Sequence, residues 1–153
     1  MSGKPELDFF FKDAREISKR IRDEFTPDAI VGIARGGLTF AHGISNALNL
    51  RNIFCINSIH YSDVYEEMRK LDTIEVFNIP DLSKFKKVVL VDDIIDSGDS
   101  MVEIKRILSE KFPQIELKTV VIFYKTNALI KPDFAVKQTD EWINFFWENI
   151  TID

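Results

Sequence analysis

The stretch Val88-Val89-Leu90-Val91-Asp92-Asp93-Ile94-Ile95-Asp96-Ser97-Gly98-Asp99-Ser100 decides the fold. With Lys87, its first residues make the apolar run KVVLV. The run lacks the alternation of a strand that faces water on one side, so it reads as a strand covered on both faces. Two adjacent acids stand at its carboxyl end and a turn of small polar residues follows. Ser100–Phe112 then carries the apolar spacing of an amphipathic helix. A strand handing over to a helix in this way is the unit of an α/β sheet, and open α/β sheets bind ligands at the carboxyl ends of their strands.

Other segments repeat the pattern on either side. Ala29–Ile33 (AIVGI), Asn52–Ile59 and Leu117–Tyr124 read as strands, and Thr73–Phe77 as a short one. Leu7–Phe25 reads as a helix, with Phe10, Ala14, Ile17, Ile21 and Phe25 on one face and Lys12, Arg15, Lys19 and Asp23 on the other, stopped by Pro27. Arg35-Gly36-Gly37 breaks the AIVGI run before a second helical pattern, Leu38–Leu48. The polar, charge-rich stretch His60–Asp72 has no firm pattern, and everything after Lys131 reads as an appendage with its own aromatics. Without repeats, low-complexity segments or a linker, the expectation is a single α/β domain over 1–153, its mainly parallel sheet flanked by helices.

Composition narrows the function. A chain of 153 residues is one domain by size and can bury a core without metal or disulfide staples. Hydrophobic residues at 45% and charged residues at 29% exclude a disordered chain. The single cysteine, Cys55, excludes an internal disulfide and a Cys-based zinc site, and on its strand it reads as a buried apolar thiol. No apolar run approaches the roughly 20 residues of a membrane span. The N-terminus MSGKPELD lacks a signal-peptide pattern, so the cytoplasm is the expected location. Twenty Lys/Arg against 25 Asp/Glu give a net charge of −5, which argues against a general nucleic-acid or membrane binder. A polyanion bound by such a chain must be held locally, by backbone N–H groups, helix ends or a metal.

The turn after the acids has the parts for that. Gly98 permits a positive φ, successive N–H groups of Asp96–Ser100 can converge, the next helix presents its N-terminus, and Ser97 and Ser100 add hydroxyl donors. Asp92 and Asp93 have the chemistry to hold vicinal sugar hydroxyls and a hydrated Mg²⁺. Each piece alone also has a plainer reading: acids at a strand end as solvated caps, D-S-G-D as an ordinary turn.

Taken in order, the string resembles the signature with which type I phosphoribosyltransferases bind phosphoribosyl pyrophosphate (PRPP). A second match, Val31-Gly32-Ile33-Ala34-Arg35-Gly36-Gly37, lies about 60 residues upstream and resembles the same family's pyrophosphate loop. Downstream, Phe123-Tyr124-Lys125 resembles a strand-end lysine that contacts the 6-oxo group of a purine. The string Lys131-Pro132-Asp133-Phe134…Lys137-Gln138-Thr139-Asp140-Glu141-Trp142-Ile143-Asn144-Phe145-Phe146-Trp147-Glu148 resembles the hood of the short bacterial and archaeal 6-oxopurine enzymes, the xanthine-guanine and hypoxanthine-guanine phosphoribosyltransferases.

The resemblance implies the type I phosphoribosyltransferase fold with a small C-terminal hood from about residue 126 to 153. It implies transfer of the phosphoribosyl group of PRPP to N9 of guanine, xanthine or hypoxanthine, with Mg²⁺ as cofactor. It assigns PRPP to Arg35, Gly36, Arg69, Asp92, Asp93, Asp96, Ser97, Gly98, Asp99 and Ser100, with Asp93 the acid nearer the metal. The purine falls to Asp96, which would accept or orient a ring proton, and to Lys125, Trp142 and Ile143. It also implies a homo-oligomer, dimer or tetramer, with no nucleic-acid partner.

Several readings stay open. Trp142 suits stacking on a purine or core packing, Trp147 suits the core, and Lys125 alone would be a solvated strand end. His42 reads as structural and His60 as a loop histidine. The family's mobile-loop Ser-Tyr pair corresponds to Ser58 or to Tyr61-Ser62. Ala34, Asp99 and Phe146 depart from the family pattern; beside a phosphate, the Asp99 carboxylate must turn outward. The rival functions are a PRPP- or nucleotide-sensing protein on the same fold and a phosphoribosyltransferase for another base.

Overall fold

The first helix, α1 (Gly3–Glu24), leads through Pro27 into strand β1 (Ala29–Ala34), and helix α2 (Leu38–Leu48) follows. Strands β2 (Ile53–Glu66) and β3 (Arg69–Phe77) come next, then β4 (Lys87–Val91), the two-residue β5 (Ile94–Ile95) and helix α3 (Asp99–Lys111). Strands β6 (Glu116–Tyr124) and β7 (Phe134–Gln138) and a 3₁₀ turn (Phe146–Asn149) complete the chain. The computed structural model describes residues 3–66, 69–141 and 143–152.

The strands form one sheet in the order β3-β2-β1-β4-β6-β7. The pairs β1–β2, β1–β4, β4–β6, β5–β6 and β6–β7 are parallel, and the β2–β3 hairpin is antiparallel. Strand β5 continues β4 along the same edge of β6, opposite β7: β4 pairs Glu116–Val120 and β5 pairs Phe123 and Tyr124.

The apolar runs are continuous because both faces are covered. Ile30, Val89, Val91, Val120 and Ile122 face α1 and α2, against Ile17, Ile21, Phe40 and Ile44. Ala29, Val31, Ile33, Val88, Leu90 and Val121 face the other way, onto Ile104, Leu108 and Leu82. Adjacent residues of each strand therefore enter different cores, as the period of two requires.

Two expectations need correction. The patternless stretch His60–Asp72 belongs to the long hairpin, whose register shifts between Tyr61 and Val64. The hairpin is an edge pair held by its backbone ladder, and Ile53, Ile59, Tyr61 and Phe77 on one face remain partly exposed. Its half-buried Cys55 is accordingly less enclosed than a core thiol.

Nor is the segment after Lys131 an appendage. Strand β7 joins the main sheet, and the Asp133 carboxylate accepts the Thr119 backbone N–H at 2.8 Å and the Thr119 hydroxyl at 3.3 Å. Thr119 Oγ1 in turn accepts the Asp133 N–H at 3.0 Å. Phe134 and Phe145 are buried in the core under α1. Phe145 stacks on Trp147 with ring centroids 4.7 Å apart, and Phe10 of α1 meets Trp147 edge-on at 5.7 Å. Truncating a buried Phe to Ala costs about 3–5 kcal/mol, so these rings fix the tail to the first helix.

Candidate active site

All the turns that matter leave the carboxyl end of the sheet. Strand β4 stops at Val91, and two residues, Asp92 and Asp93, interrupt the regular ladder before β5, with the Asp92 N–H still donating to the Val120 carbonyl of β6 at 3.0 Å. In that break the Asp93 carbonyl accepts the backbone N–H groups of both Ile122 and Phe123, each at 3.1 Å. The interruption leaves the backbone satisfied.

The Asp92 carboxylate accepts the Asp93 N–H at 2.9 Å, and the Asp93 carboxylate accepts the Ile94 N–H at 2.7 Å. Asp93 is buried and Asp92 half-buried. Burial raises the pKa of Asp92 well above the usual carboxylate range, and the charge of Asp93 beside it pushes the same way. Burial also raises Asp93, with the charge of Glu148 on the 3₁₀ turn adding to it. Among the described residues neither acid has an ion-pair partner.

Gly36 meets the same acid. A Cβ on Gly36 would run into the Asp93 carboxylate, so the missing side chain is what lets β1's turn close over the acid pair. The resemblance assigns Gly36 to PRPP; in the structure Gly36 first makes room for Asp93. Arg35 precedes it, exposed, across a cis peptide from Ala34.

The cradle follows β5. Asp96 and Ser97 are exposed, and Gly98 is buried with φ of +92°, the left-handed conformation that side chains resist. Gly98 at the α3 N-cap has no side chain to cap the helix, and the Ser97 hydroxyl accepts the Asp99 N–H at 3.3 Å, which leaves the N–H groups that follow Asp99 in the first turn for an anion. The Asp99 carboxylate accepts the Ser97 hydroxyl at 3.1 Å, so the hydroxyl donor expected for an anion at Ser97 is used within the loop. Asp99 also lines a cavity of about 420 Å³ with His60, Ile74, Val102 and Glu103, beneath the hairpin. His60 thus belongs to the wall of that cavity, and His42 lies exposed on α2 beside Asn46.

At the end of β6, Lys125 is half-buried rather than solvated. Its ammonium donates to the backbone carbonyls of Asp140 at 3.3 Å and Glu141 at 3.2 Å. Ile143 turns its side chain to the core under α1, alongside Trp147, as the core reading of Trp147 requires. Trp142 and the side chain of Arg69 lie outside the described residues; Arg69 opens β3. Together, Arg35, Gly36, Asp92, Asp93, Asp96–Ser100 and Lys125 follow strands β1, β4, β5 and β6 at the carboxyl end of the sheet.

This donor set suits a hard divalent cation. Carboxylate oxygens with raised pKa values and no opposing cation lose most by staying unpaired. Among the described residues no group of three or more His, Cys, Asp or Glu side chains could cage a metal alone. A Mg²⁺ here would take one or two protein oxygens and complete its shell with waters and phosphate oxygens, its ordinary habit.

A profile of the phosphoribosyl transferase domain matches residues 7–149. The chain belongs to the phosphoribosyltransferase family. Among curated relatives, the xanthine-guanine phosphoribosyltransferase of Nitratidesulfovibrio vulgaris is 25% identical over 140 residues, covering 90% of this chain and 79% of that protein. The enzyme of the same name from Cereibacter sphaeroides is 27% identical over 146 residues, 92% of this chain and 83% of its own.

Solved structures agree. The Helicobacter pylori xanthine-guanine-hypoxanthine phosphoribosyltransferase superposes with a TM-score of 0.82 at 33% identity, covering 93% of this chain and 90% of that one. A purine phosphoribosyltransferase from Pyrococcus horikoshii superposes at 0.75 with 28% identity, covering 97% and 93%. The α/β architecture expected from the sequence is therefore that of this phosphoribosyltransferase fold.

Sequence reasoning missed three contributors. Glu148 adds its charge to the acid pair, and the carbonyls of Asp140 and Glu141 hold Lys125. Carbonyl ligands have no side-chain signature, so no sequence signal marks them. Glu148 stood in the quoted hood string, but nothing local placed it near Asp93.

Proposed function

We propose that this phosphoribosyltransferase moves the 5-phosphoribosyl group of PRPP to N9 of a 6-oxopurine, releasing pyrophosphate and forming the nucleoside monophosphate. The observation that carries this reading is Lys125, a pure donor held by two carbonyls, whose backbone N–H is bonded to the Ile95 carbonyl of β5, between the acid pair and the turn around Gly98. Three N–H bonds radiate from an ammonium, and two are used on the protein, leaving one for a carbonyl oxygen at the purine 6-position. An amino group there would present donor to donor. The names of the relatives support the same substrate class.

In this reading the α3 N-terminus and the turn around Gly98 bind the 5′-phosphate, and Asp92 holds the ribose hydroxyls. Asp93 is the acid nearer the cation, and Arg35 and Arg69 face the leaving pyrophosphate. Asp96 accepts or orients the proton that the purine ring loses as N9 attacks the sugar carbon. Trp142 stacks on the base and the backbone near Ile143 meets its 2-substituent. Bound Mg²⁺ supplies charge neutralisation at the pyrophosphate. The rest of catalysis is positioning and fixed electrostatics.

Among the described residues no helix is long and apolar enough to cross a membrane, and the proposal places the enzyme in the cytoplasm as a dimer or tetramer without nucleic acid. The test is PRPP-dependent turnover across guanine, xanthine, hypoxanthine, adenine, uracil and orotate. The 6-oxopurines should exceed adenine by roughly ten- to hundredfold, the discrimination an unpaired buried donor supports. Adenine or orotate as preferred base would overturn the substrate assignment. Tight PRPP binding without turnover of any base would point to a sensing protein instead.

A further inference from the structure

The segment that carries the purine-facing backbone is fastened at one side chain. The Asp140 carboxylate accepts both the backbone N–H of Thr126 at 3.1 Å and the Thr126 hydroxyl at 2.6 Å. One residue earlier, the Thr139 N–H closes the sheet onto the Tyr124 carbonyl at 2.9 Å, and Lys125 reaches the Asp140 and Glu141 carbonyls. Residues 124–126 and 139–141 are therefore laced by five hydrogen bonds whose side-chain acceptor is Asp140 alone.

The turn after Lys125 is anchored separately to the phosphate cradle: the Leu129 N–H donates to the Ser97 carbonyl at 2.8 Å, and Leu129 and Ile130 pack on Gly98. Because the cradle has its own anchor, losing Asp140 should loosen the base side while leaving the phosphate side in place. The Thr126 hydroxyl holds the Asp140 carboxyl below its usual range, so the clasp is ionised at neutral pH.

We infer that Asp140 is a positioning residue for purine selectivity, clasping Thr126 so that the Asp140 and Glu141 carbonyls aim the Lys125 ammonium at the base. This rests on the 6-oxopurine reading above. The clasp acts through Lys125 and touches no substrate. Its loss leaves Lys125 in the protein but unaimed, so the cost should fall on the base that needs a donor and spare the base that does not.

The experiment measures kcat and KM for guanine, adenine and PRPP in the parent, Asp140→Ala and Asp140→Asn. Asp140→Ala should raise the guanine KM about tenfold, with kcat, the PRPP KM and adenine kcat/KM each within about twofold of the parent. Asp140→Asn keeps an oxygen acceptor for both Thr126 donors and should restore the guanine KM to near the parent's. A parent-like guanine KM in Asp140→Ala, a joint rise of the guanine and PRPP KM values, or failure of Asp140→Asn to rescue would overturn the clasp. Those three results leave the 6-oxopurine reading standing, whereas a parent that turns over no 6-oxopurine brings down both.

Discussion

At the proposed phosphate end, between β4 and β5, Asp92 and Asp93 lie side by side, half-buried and buried, with no cation paired to either among the described residues. At the base end, the Lys125 ammonium and the Asp140 carboxylate each have two hydrogen bonds to the protein. The first region is electrostatically incomplete by itself, and burial makes the deficit worse. The second is held in place before any ligand arrives, with one N–H of Lys125 to spare. The contrast suits a reaction in which one reactant carries a polyphosphate with its cation and the other is a neutral, flat heterocycle. Charge must be delivered to one end, whereas direction must already exist at the other.

The largest effect should come from breaking the conformation on which the phosphate end depends. Gly98→Val forces a β-branched residue to a φ of +92°, and its Cβ would meet the Leu129 nitrogen at 3.1 Å and Ile130 at 3.2 Å. Strain on the order of 1–3 kcal/mol at such a position corresponds to roughly ten- to hundredfold in affinity. Titration of PRPP and of nucleoside monophosphate should show both weakened on that scale, and Ser97→Ala should lose far less. Parent-like nucleotide binding in both variants would place the phosphate elsewhere.

A smaller effect sharpens the same contrast through stability. A carboxyl whose folded-state pKa is raised binds its proton more tightly folded than unfolded, so its ionisation weakens the fold at neutral pH. That penalty fades as pH falls through the raised pKa and vanishes below the ordinary carboxylate range. Asp92→Asn removes the penalty and keeps an oxygen for the Asp93 N–H. The variant should melt roughly 2–4 °C above the parent at neutral pH, the shift that about 1 kcal/mol gives a domain of this size. The gain should disappear on acidification while turnover stays reduced throughout. A variant that melts below the parent at neutral pH would mean the acid pair is already compensated within the protein.

The strand, turn and helix of the proposed phosphate end were legible in the sequence because local pattern encodes them. KVVLV, the acids and the glycine turn follow one another along the chain, and β4 and α3 fall within a residue of their expected limits. Helix α2 matched for the same reason, since its apolar face repeats within eleven residues. The base end was only half legible. Lys125 could be singled out, but its carbonyl partners lie 15 and 16 residues away and come from the backbone.

Two other regions were obscured by competing physics. The hairpin beyond Tyr61 draws on ladder hydrogen bonds and a register shift rather than on apolar periodicity. The C-terminal aromatics gave no hint that Phe145 and Trp147 complete a core begun by Phe10, because the partners lie at opposite ends of the chain.

The most direct test of the incomplete phosphate end is calorimetric titration of PRPP into the protein at neutral pH, with Mg²⁺ in excess and then with chelator in excess. The account predicts at least about tenfold weaker binding in chelator, equivalent to about 1.4 kcal/mol. It also predicts that the Mg²⁺-dependent part fades on acidification at a pH above the ordinary carboxylate range, because burial has raised both acids. Equal PRPP affinity in Mg²⁺ and in chelator would contradict it.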